Sequence, residues 1–328
     1  MPPDPAVSAT RTALRRVLSS PEAESYRSVP WVVACSGGAD SLALAAAAAH
    51  EARHFGTEVR GLVVDHGLQV GSAAVAERAV EQLTAIGCSA QVLAVEVDGP
   101  GGPEAAARRA RYAALRAERP AGSPVLLGHT LDDQAETVLL GLGRGSGARS
   151  IAGMPAVDPP WVRPLLGVRR ETTEAACRAL GLDPWSDPHN VDPKFTRVRL
   201  RTEVLPLLEE VLQGGVAESL ARTARQLRDD ADALDAAAAE VLRRARTPEG
   251  LDVLALRDFP AAVRRRALRD WLFAEGVGEL SDAHLRAADA LVANWRGQGG
   301  PALPGDFVLR RAHGRLRVET AGRKPPNG

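Results

Sequence analysis

The sequence predicts an α/β catalytic domain built on a parallel sheet, followed by a smaller, mostly helical C-terminal domain that carries a β-hairpin. Three observations predict it. Short apolar segments recur at Trp31–Cys35, Val59–Asp65, Ala90–Val97 and Pro124–Gly128, with alanine-rich, helix-favouring stretches between them. Their spacing of roughly thirty residues is that of a βαβ unit, and strands this apolar belong in a sheet covered on both faces. Past about Pro206 the pattern changes to a helical one, and near the end Val308–Val318 reads as a hairpin turning at His313-Gly314.

Residues 1–28 are expected to form an N-terminal helical extension, and residues 29–206 the catalytic domain. In parallel sheets ligands gather at the carboxyl ends of the strands, and three of the four segments end there in polar residues: Ser36 to Ser41, Asp65-His66-Gly67, and His129 onward. Trp161–Leu166 predicts a fifth strand, before a helix over Arg170–Leu180. Residues 207–246 predict a long linker helix, because Leu220, Ala224, Leu227, Ala231, Leu234, Ala238 and Val241 recur at steps of four and three. That seam suits packing within the subunit, with a homodimer contact as the competing use. Residues 247–322 form the expected C-terminal domain, and 323–328 an expected disordered tail.

Composition bounds the function. The 328 residues carry 41 basic and 41 acidic side chains, so no global field draws the protein to nucleic acid or to an anionic membrane, and any such partner is met by local patches. Lys194 and Lys324 are the only lysines among the basic residues. Cys35, Cys88 and Cys177 stand far apart without a Cys-x-x-Cys pair, which argues against a disulfide framework or a zinc site and for a reducing cytoplasm. No secretory segment or membrane span is expected.

The stretch Ser36-Gly37-Gly38-Ala39-Asp40-Ser41 follows the first strand and opens a helix. Gly37 and Gly38 let backbone N–H groups approach a ligand without a Cβ in the way. The helix N-terminus favours an anion, and Ser36 and Ser41 add hydroxyl donors. The lysine of the usual nucleotide-binding P-loop is missing. A carboxylate beside phosphate oxygens is repulsive unless a divalent cation lies between them, so Asp40 suggests Mg2+.

On these residues the loop resembles the PP-loop ATP-pyrophosphatase superfamily, with a Rossmann-like sheet, which implies ATP cleaved between its α and β phosphates. Further motifs follow in order: Val64-Asp65-His66-Gly67-Leu68; Glu104 with Arg108, Arg111 and Tyr112; Asp132-Asp133-Gln134-Ala135-Glu136-Thr137; Arg144-Gly145-Ser146-Gly147; Arg163-Pro164-Leu165-Leu166; and Trp185 through Arg201. Together, over about Val29 to Pro206, they resemble the tRNA(Ile)-lysidine synthetases. The resemblance implies a ligase: ATP adenylates O2 of the wobble cytidine in tRNA(Ile) with a CAU anticodon, pyrophosphate leaves, and L-lysine displaces AMP to give lysidine.

The resemblance also implies roles. Ser36, Gly37, Gly38, Ala39, Asp40, Ser41 and Asp65 would bind ATP, with Asp40 acting through Mg2+ and Asp65 at the adenosine end. Asp40, Arg108, Asp133, Glu136 and Arg201 would be catalytic, with Arg111 beside Arg108 at the phosphates. His129, Asp133 and Glu136 would bind lysine. If a helix ran through them, their spacing would aim all three to one side, while Val138, Leu139 and Leu142 packed inward. Arg197 and Arg199, and beyond the catalytic domain Arg264, Arg265 and Arg266, would meet tRNA; Arg243 to Arg246 and Arg310 to Arg317 are further basic clusters. Two departures from the family pattern are Thr130, where many members have a histidine, and Val198, where an asparagine is common. Two alternatives stay open: another PP-loop tRNA-modifying or amide-forming enzyme, and a nucleotide-binding module without catalysis. Separated cysteines weigh against a thiolase.

Overall fold

The computed structural model describes residues 3–69, 71–100, 102–145, 147–187 and 192–320. The expected tail 323–328, Ser146, and His189 to Val191 lie outside them. Contacts divide the chain into two compact units, Met1–Arg225 and Gln226–Gly328.

Unit 1 begins with α1 (Pro5–Leu18), where Asp4 caps the first turn by accepting from the Ala6 amide at 2.8 Å, and a short 3-10 turn at Pro21–Tyr26. The alternation that follows is β1 (Trp31–Cys35), α2 (Ala39–Phe55), β2 (Val59–Asp65), α3 (Ser72–Ala85), β3 (Ser89–Ala94), α4 (Pro103–Glu118), β4 (Val125–Leu127), α5 (Leu131–Arg144) and α6 (Ala148–Ile151). Then come β5 (Val157–Asp158), β6 (Trp161–Val162) and α7 (Arg170–Ala179). The helical run α8 (Thr196–Arg199) and α9 (Leu205–Val211) is joined through a π-turn at Leu200–Val204.

The six strands order as β3-β2-β1-β4-β6-β5, parallel except that β5 runs antiparallel to β6. The period of two in β1 divides its side chains between two cores. Trp31, Val33 and Cys35 join α1, α2, α3 and α7 on one face. Val32 joins Leu62, Leu115, Val125, Leu127 and Trp161 on the other, with Tyr112 of α4 beside them. The N-terminal segment is therefore part of the first core, since Val7, Leu14, Leu18, Ala23 and Tyr26 are buried in it.

Three expectations change. The third strand ends at Ala94 and is an edge strand with a largely exposed face, so it is not covered on both sides. The fifth is only Trp161–Val162 and pairs back with β5. Residues 207–246 are not one helix: α9 ends at Val211, and a turn leads to α10 (Val216–Ala245). Glu209 caps that new start by accepting from the Val216 and Ala217 amides at 3.0 and 3.1 Å.

The boundary between the units falls inside α10. Ala217 and Ala221 pack with Leu131, Ala135 and Leu205 in the first unit, while Ala238, Val241 and Ala245 belong to the core of the second. Of the seam residues, Leu220 packs on that first cluster and Ala238 and Val241 in the second core, so both ends of the seam are used within their own unit.

Unit 2 continues with β7 (Arg246–Thr247), β8 (Gly250–Asp252), α11 (Leu254–Arg257), α12 (Ala261–Ala274), α13 (Asp282–Ala293), β9 (Ala302–Leu303), β10 (Phe307–Ala312) and β11 (Arg315–Thr320). The expected hairpin is present, with positive φ at both His313 and Gly314, and it forms the centre of a five-stranded antiparallel sheet ordered β7-β8-β11-β10-β9. Trp271, Leu251, Leu256, Leu309 and Leu316 fill the core against it.

Arg264 lies inside this unit rather than on a face of it. It is 9% exposed; its Nε and Nη2 donate to Asp289 at 2.7 and 3.1 Å, and Nη1 to the Phe259 carbonyl at 2.5 Å. Arg265 also reaches Asp289 at 3.4 Å, and Arg266 pairs with Asp235 at 2.8 Å. The three consecutive arginines expected to form one tRNA-facing cluster are instead engaged with carboxylates of their own unit. Removing one partner of a buried pair leaves a bare charge, so Asp289→Ala is expected to cost about 3–5 kcal/mol of stability. Urea denaturation of the variant checks this, and a loss under about 1 kcal/mol would contradict it.

Candidate active site

The Ser-Gly-Gly turn sits at the carboxyl end of β1. Gly37 has φ +81, a conformation side chains rarely adopt, and its carbonyl accepts from the Trp185 amide at 2.9 Å. Gly38 caps α2, so the helix begins at Ala39, inside the Ser36–Ser41 stretch. Ser41 braces the loop from below: its hydroxyl accepts from the Ser36 amide at 3.2 Å and donates to the Gly38 carbonyl at 2.9 Å. Ser36 is exposed, and its Oγ lies 3.4 Å from that of Ser41. At the end of β4, Gly128 lets the strand press on the helix start, because a Cβ there would stand 3.0 Å from the backbone of Asp40 and Ser41.

Asp40 is held from α7. Arg170 Nε lies 3.2 Å from Oδ2, and the Thr173 hydroxyl donates to Oδ1. Burial pushes the Asp40 carboxyl up from its usual value, and Arg170 and Thr173 oppose that. The same guanidinium reaches the acidic segment: Arg170 Nη2 is 2.7 Å from Asp133 Oδ1, and the Arg170 amide donates to Asp132 Oδ2 at 2.8 Å. Arg169 approaches Asp132 at 3.6 Å and Glu218 at 3.6 Å.

Asp133 and Glu136 lie in the first turns of α5, and His129 does not. His129 precedes the Thr130 cap, so its place beside Asp133 comes from the strand-to-helix turn and not from helical spacing. Asp133 Oδ2 accepts from the Thr130 amide at 2.8 Å and the Thr130 hydroxyl at 3.1 Å. Thr130 therefore steadies Asp133 where the family pattern has a histidine. Burial would raise the Asp133 carboxyl, but Arg170, the Thr130 amide and Arg201 outweigh it and hold it below its ordinary value. Glu136 is fully buried; Arg201 Nη2 and Nε reach Oε1 at 2.7 and 2.8 Å, and Arg197 Nη1 lies 3.4 Å from Oε2. Burial dominates there, and the Glu136 carboxyl is raised. Val138 is buried and Leu139 packs inward as expected, while Leu142 is half-exposed at the last turn of the helix.

The remaining site residues divide. Arg201 and Arg197 turn toward Glu136, whereas Arg199 points away and pairs with Glu203 at 2.9 Å on the surface. Val198 between them is buried, a position where an asparagine would need a partner. Asp65 ends β2 and accepts from the Gly67 amide at 2.9 Å. Arg108 is exposed on α4, over the Tyr112 ring at 4.8 Å, and Tyr112 stands edge-on to Trp161 at 4.5 Å. Arg111 is largely buried. Four buried nitrogens around this end of the sheet have no hydrogen-bond partner: His66 Nδ1, Arg111 Nε, His129 Nδ1 and Arg163 Nε.

Arg170 and Thr173 are site residues that sequence reasoning missed. A signal was present, because Arg169 and Arg170 stand at the N-terminus of α7, where the helix dipole disfavours cations and carboxylates are needed nearby.

A PP-loop domain family matches residues 10–208, and a TilS substrate binding domain family matches residues 251–317. A tRNA(Ile)-lysidine synthase of Rhodococcus erythropolis is 57% identical over 322 residues, covering 96% of this chain and 96% of that protein. One of Mycolicibacterium paratuberculosis is 61% identical over 288 residues, covering 86% of this chain and 88% of that protein. The chain belongs to the tRNA(Ile)-lysidine synthase family. Among solved structures, the U34-tRNA thiolase of Methanococcus maripaludis shares the fold, with a TM-score of 0.55 at 16% identity over 68% of this chain and 78% of that one. For a tRNA(Ile)-lysidine synthase, ATP use and a tRNA substrate follow from the family. No helix among the described residues is long and apolar enough to cross a membrane.

His129 gives a test of the site's electrostatics. Burial, with Arg163, Arg111 and Arg108, pushes its imidazole down from 6.5 to about 4, against the pull of Asp133. The unfolded chain then binds the proton first, so stability is intact above pH 6.5 and is lost as pH falls toward about 4. His129→Gln removes this group, so urea midpoints measured between those limits should fall more steeply for the parent than for the variant; parallel slopes would contradict it.

Proposed function

We propose that the chain joins L-lysine to C2 of the wobble cytidine of tRNA(Ile) bearing a CAU anticodon, in two steps on one site. In the first, cytidine O2 attacks the α-phosphorus of ATP, and the bond to the bridging oxygen breaks as pyrophosphate leaves. In the second, the neutral ε-amine of lysine attacks C2, the C2–O2 bond breaks, and AMP leaves with O2. Adenylation is needed because the base oxygen is a poor leaving group and AMP is a good one.

The observation that carries this reading is the juxtaposition, at one end of one sheet, of the Ser-Gly-Gly turn and the carboxylates Asp133 and Glu136, of which Asp133 is joined to Asp40 through Arg170. Ser36 and the amides of Gly38 and Ala39 receive the phosphates, where the α2 N-terminus favours negative charge, while the buried Gly37 amide donates to Cys35 Sγ at 3.4 Å and shapes the turn. Exposed Arg108, steadied on Tyr112, meets charge that develops on phosphate oxygens. Asp65 sits at the adenosine side.

Asp133, held ionised, suits the lysine ammonium, and His129, kept neutral, adds no opposing charge. Glu136, with its proton affinity raised, is the better acceptor for the proton that the amine gives up. Mg2+ would be held by Asp40 as one carboxylate, completed by substrate phosphates, because a carboxylate at the phosphate-binding turn needs a cation between it and phosphate oxygens. When bound it would neutralise phosphate charge; Asp40 would then exchange its contact with Arg170 or Thr173. For tRNA, the exposed arginines Arg199, Arg310 and Arg317 are the backbone contacts we favour over the more buried Arg264, Arg265 and Arg266; Arg199 and Arg310 would exchange surface pairs with Glu203 and Glu319 for phosphate.

Incubation of the protein with Mg-ATP, labelled lysine and CAU-anticodon tRNA should place label on tRNA with one pyrophosphate released for each. Absence of label from that tRNA would overturn the reading, and pyrophosphate release with another acceptor would favour a different PP-loop ligase.

A further inference from the structure

Arg170 stands between two groups that the proposed reaction uses at different times. Its Nε lies 3.2 Å from Asp40 at the phosphate-binding turn, and its Nη2 lies 2.7 Å from Asp133 at the lysine side. Both carboxylates are largely shielded, with side chains 23% and 16% exposed, and Arg170 itself is 21% exposed. The partners are otherwise secured: the Arg170 amide is tied to Asp132, and Asp133 to Thr130. The guanidinium therefore has a fixed root and two fixed targets, and whatever loosens one contact alters the other.

We propose that Arg170 is a positioning residue that makes the two half-reactions depend on each other, by serving as the shared counter-ion of Asp40 and Asp133. With Arg170 on both, Asp40 is held against α7 and Asp133 is already matched by a cation. When Asp40 turns to the nucleotide, its claim on the guanidinium ends, and Arg170 settles on Asp133 alone. The state of the phosphate side is thereby transmitted to the group that receives the amine. A planar fork can serve two carboxylates in this way, whereas a lysine ammonium is a single point charge. The proposal rests on the two-step reading for its functional meaning, while the shared counter-ion itself can be tested without it.

Two measurements on the full-length protein decide it. The first is thermal unfolding of Asp40→Asn and Asp133→Asn, each in the parent and in the Arg170→Gln background. If Arg170 is shared, either substitution lowers Tm in the parent, where it leaves part of the guanidinium unmatched. Either raises Tm in the Arg170→Gln background, where it relieves two shielded carboxylates left with only Arg201, 3.6 Å from Asp133 Oδ1, as counter-charge. The same shift with the same sign in both backgrounds would overturn the proposal. The second is a single-turnover assay of pyrophosphate release with tRNA before lysine is added, and of lysine transfer afterwards. Arg170→Gln should slow each step at least tenfold, and Arg170→Lys should restore no more than one of them. A loss confined to one step, or recovery of both by lysine, would overturn it. If Arg170→Gln does not fold, Arg170→Met supplies the uncharged background for both measurements. A parent protein that makes no lysine adduct would instead sink the two-step reading, and the sign of the Tm shifts would still decide the counter-ion.

Discussion

Carboxylates cannot be gathered at the edge of a protein core without cations among them, and the first unit is organised around that constraint. Asp40, Asp132, Asp133 and Glu136 come from the starts of two helices that follow neighbouring parallel strands, so the topology alone forces them together. Arg169 and Arg170 from the start of α7, and Arg197 and Arg201 from the segment after it, supply the matching charge. The pairing explains why α7 can begin with two arginines against its own dipole, and why Glu136 can be wholly buried. Hydrophobic burial builds the sheet, but ion pairing fixes how its ligand-binding end is closed.

Much of the sheet was legible because its rule is local. Four apolar runs at βαβ spacing give four parallel strands, and the alternation within Trp31–Cys35 sorts side chains between two cores. The hairpin at His313-Gly314 was legible for the same reason, since the turn chemistry is carried by two adjacent residues. Where the outcome depended on neighbours in space, sequence pattern was less informative. Ala90–Val97 looks like its fellow strands, yet it lies at the edge of the sheet and is exposed. The apolar seam within residues 207–246 predicts one helix, yet Gly214 and Gly215, a break carried by the sequence itself and here both with positive φ, and the capping carboxylate of Glu209 divide them.

The site shows the same division. Motif residues Ser36 to Ser41, His129, Asp133 and Glu136 were identifiable because their spacing is short. Their partners were not, because Arg170 meets Asp40 across 130 positions and Asp133 across 37. Arg264 is the converse case. Three consecutive arginines look like a solvated basic face, but consecutive residues on a helix point in different directions, and here two of them meet Asp289 and one meets Asp235.

Several features at the carboxyl end of the unit 1 sheet are individually unfavourable for folding. A neutral histidine is buried beside arginines, two arginines begin a helix, and His66, Arg111, His129 and Arg163 each keep a buried nitrogen without a partner. An unpaired buried polar atom costs on the order of 1–3 kcal/mol, so packing alone gives no reason to accumulate four around one end of a sheet. Arg119 Nε and Ser123 Oγ, just before β4, are also unpartnered, so what distinguishes the carboxyl end is that its unpartnered nitrogens coincide with the buried neutral histidine and the helix-opening arginines. Where local rules are broken together in one place, and the place is the strand end at which parallel sheets bind ligands, the broken rules themselves mark the working end of the fold.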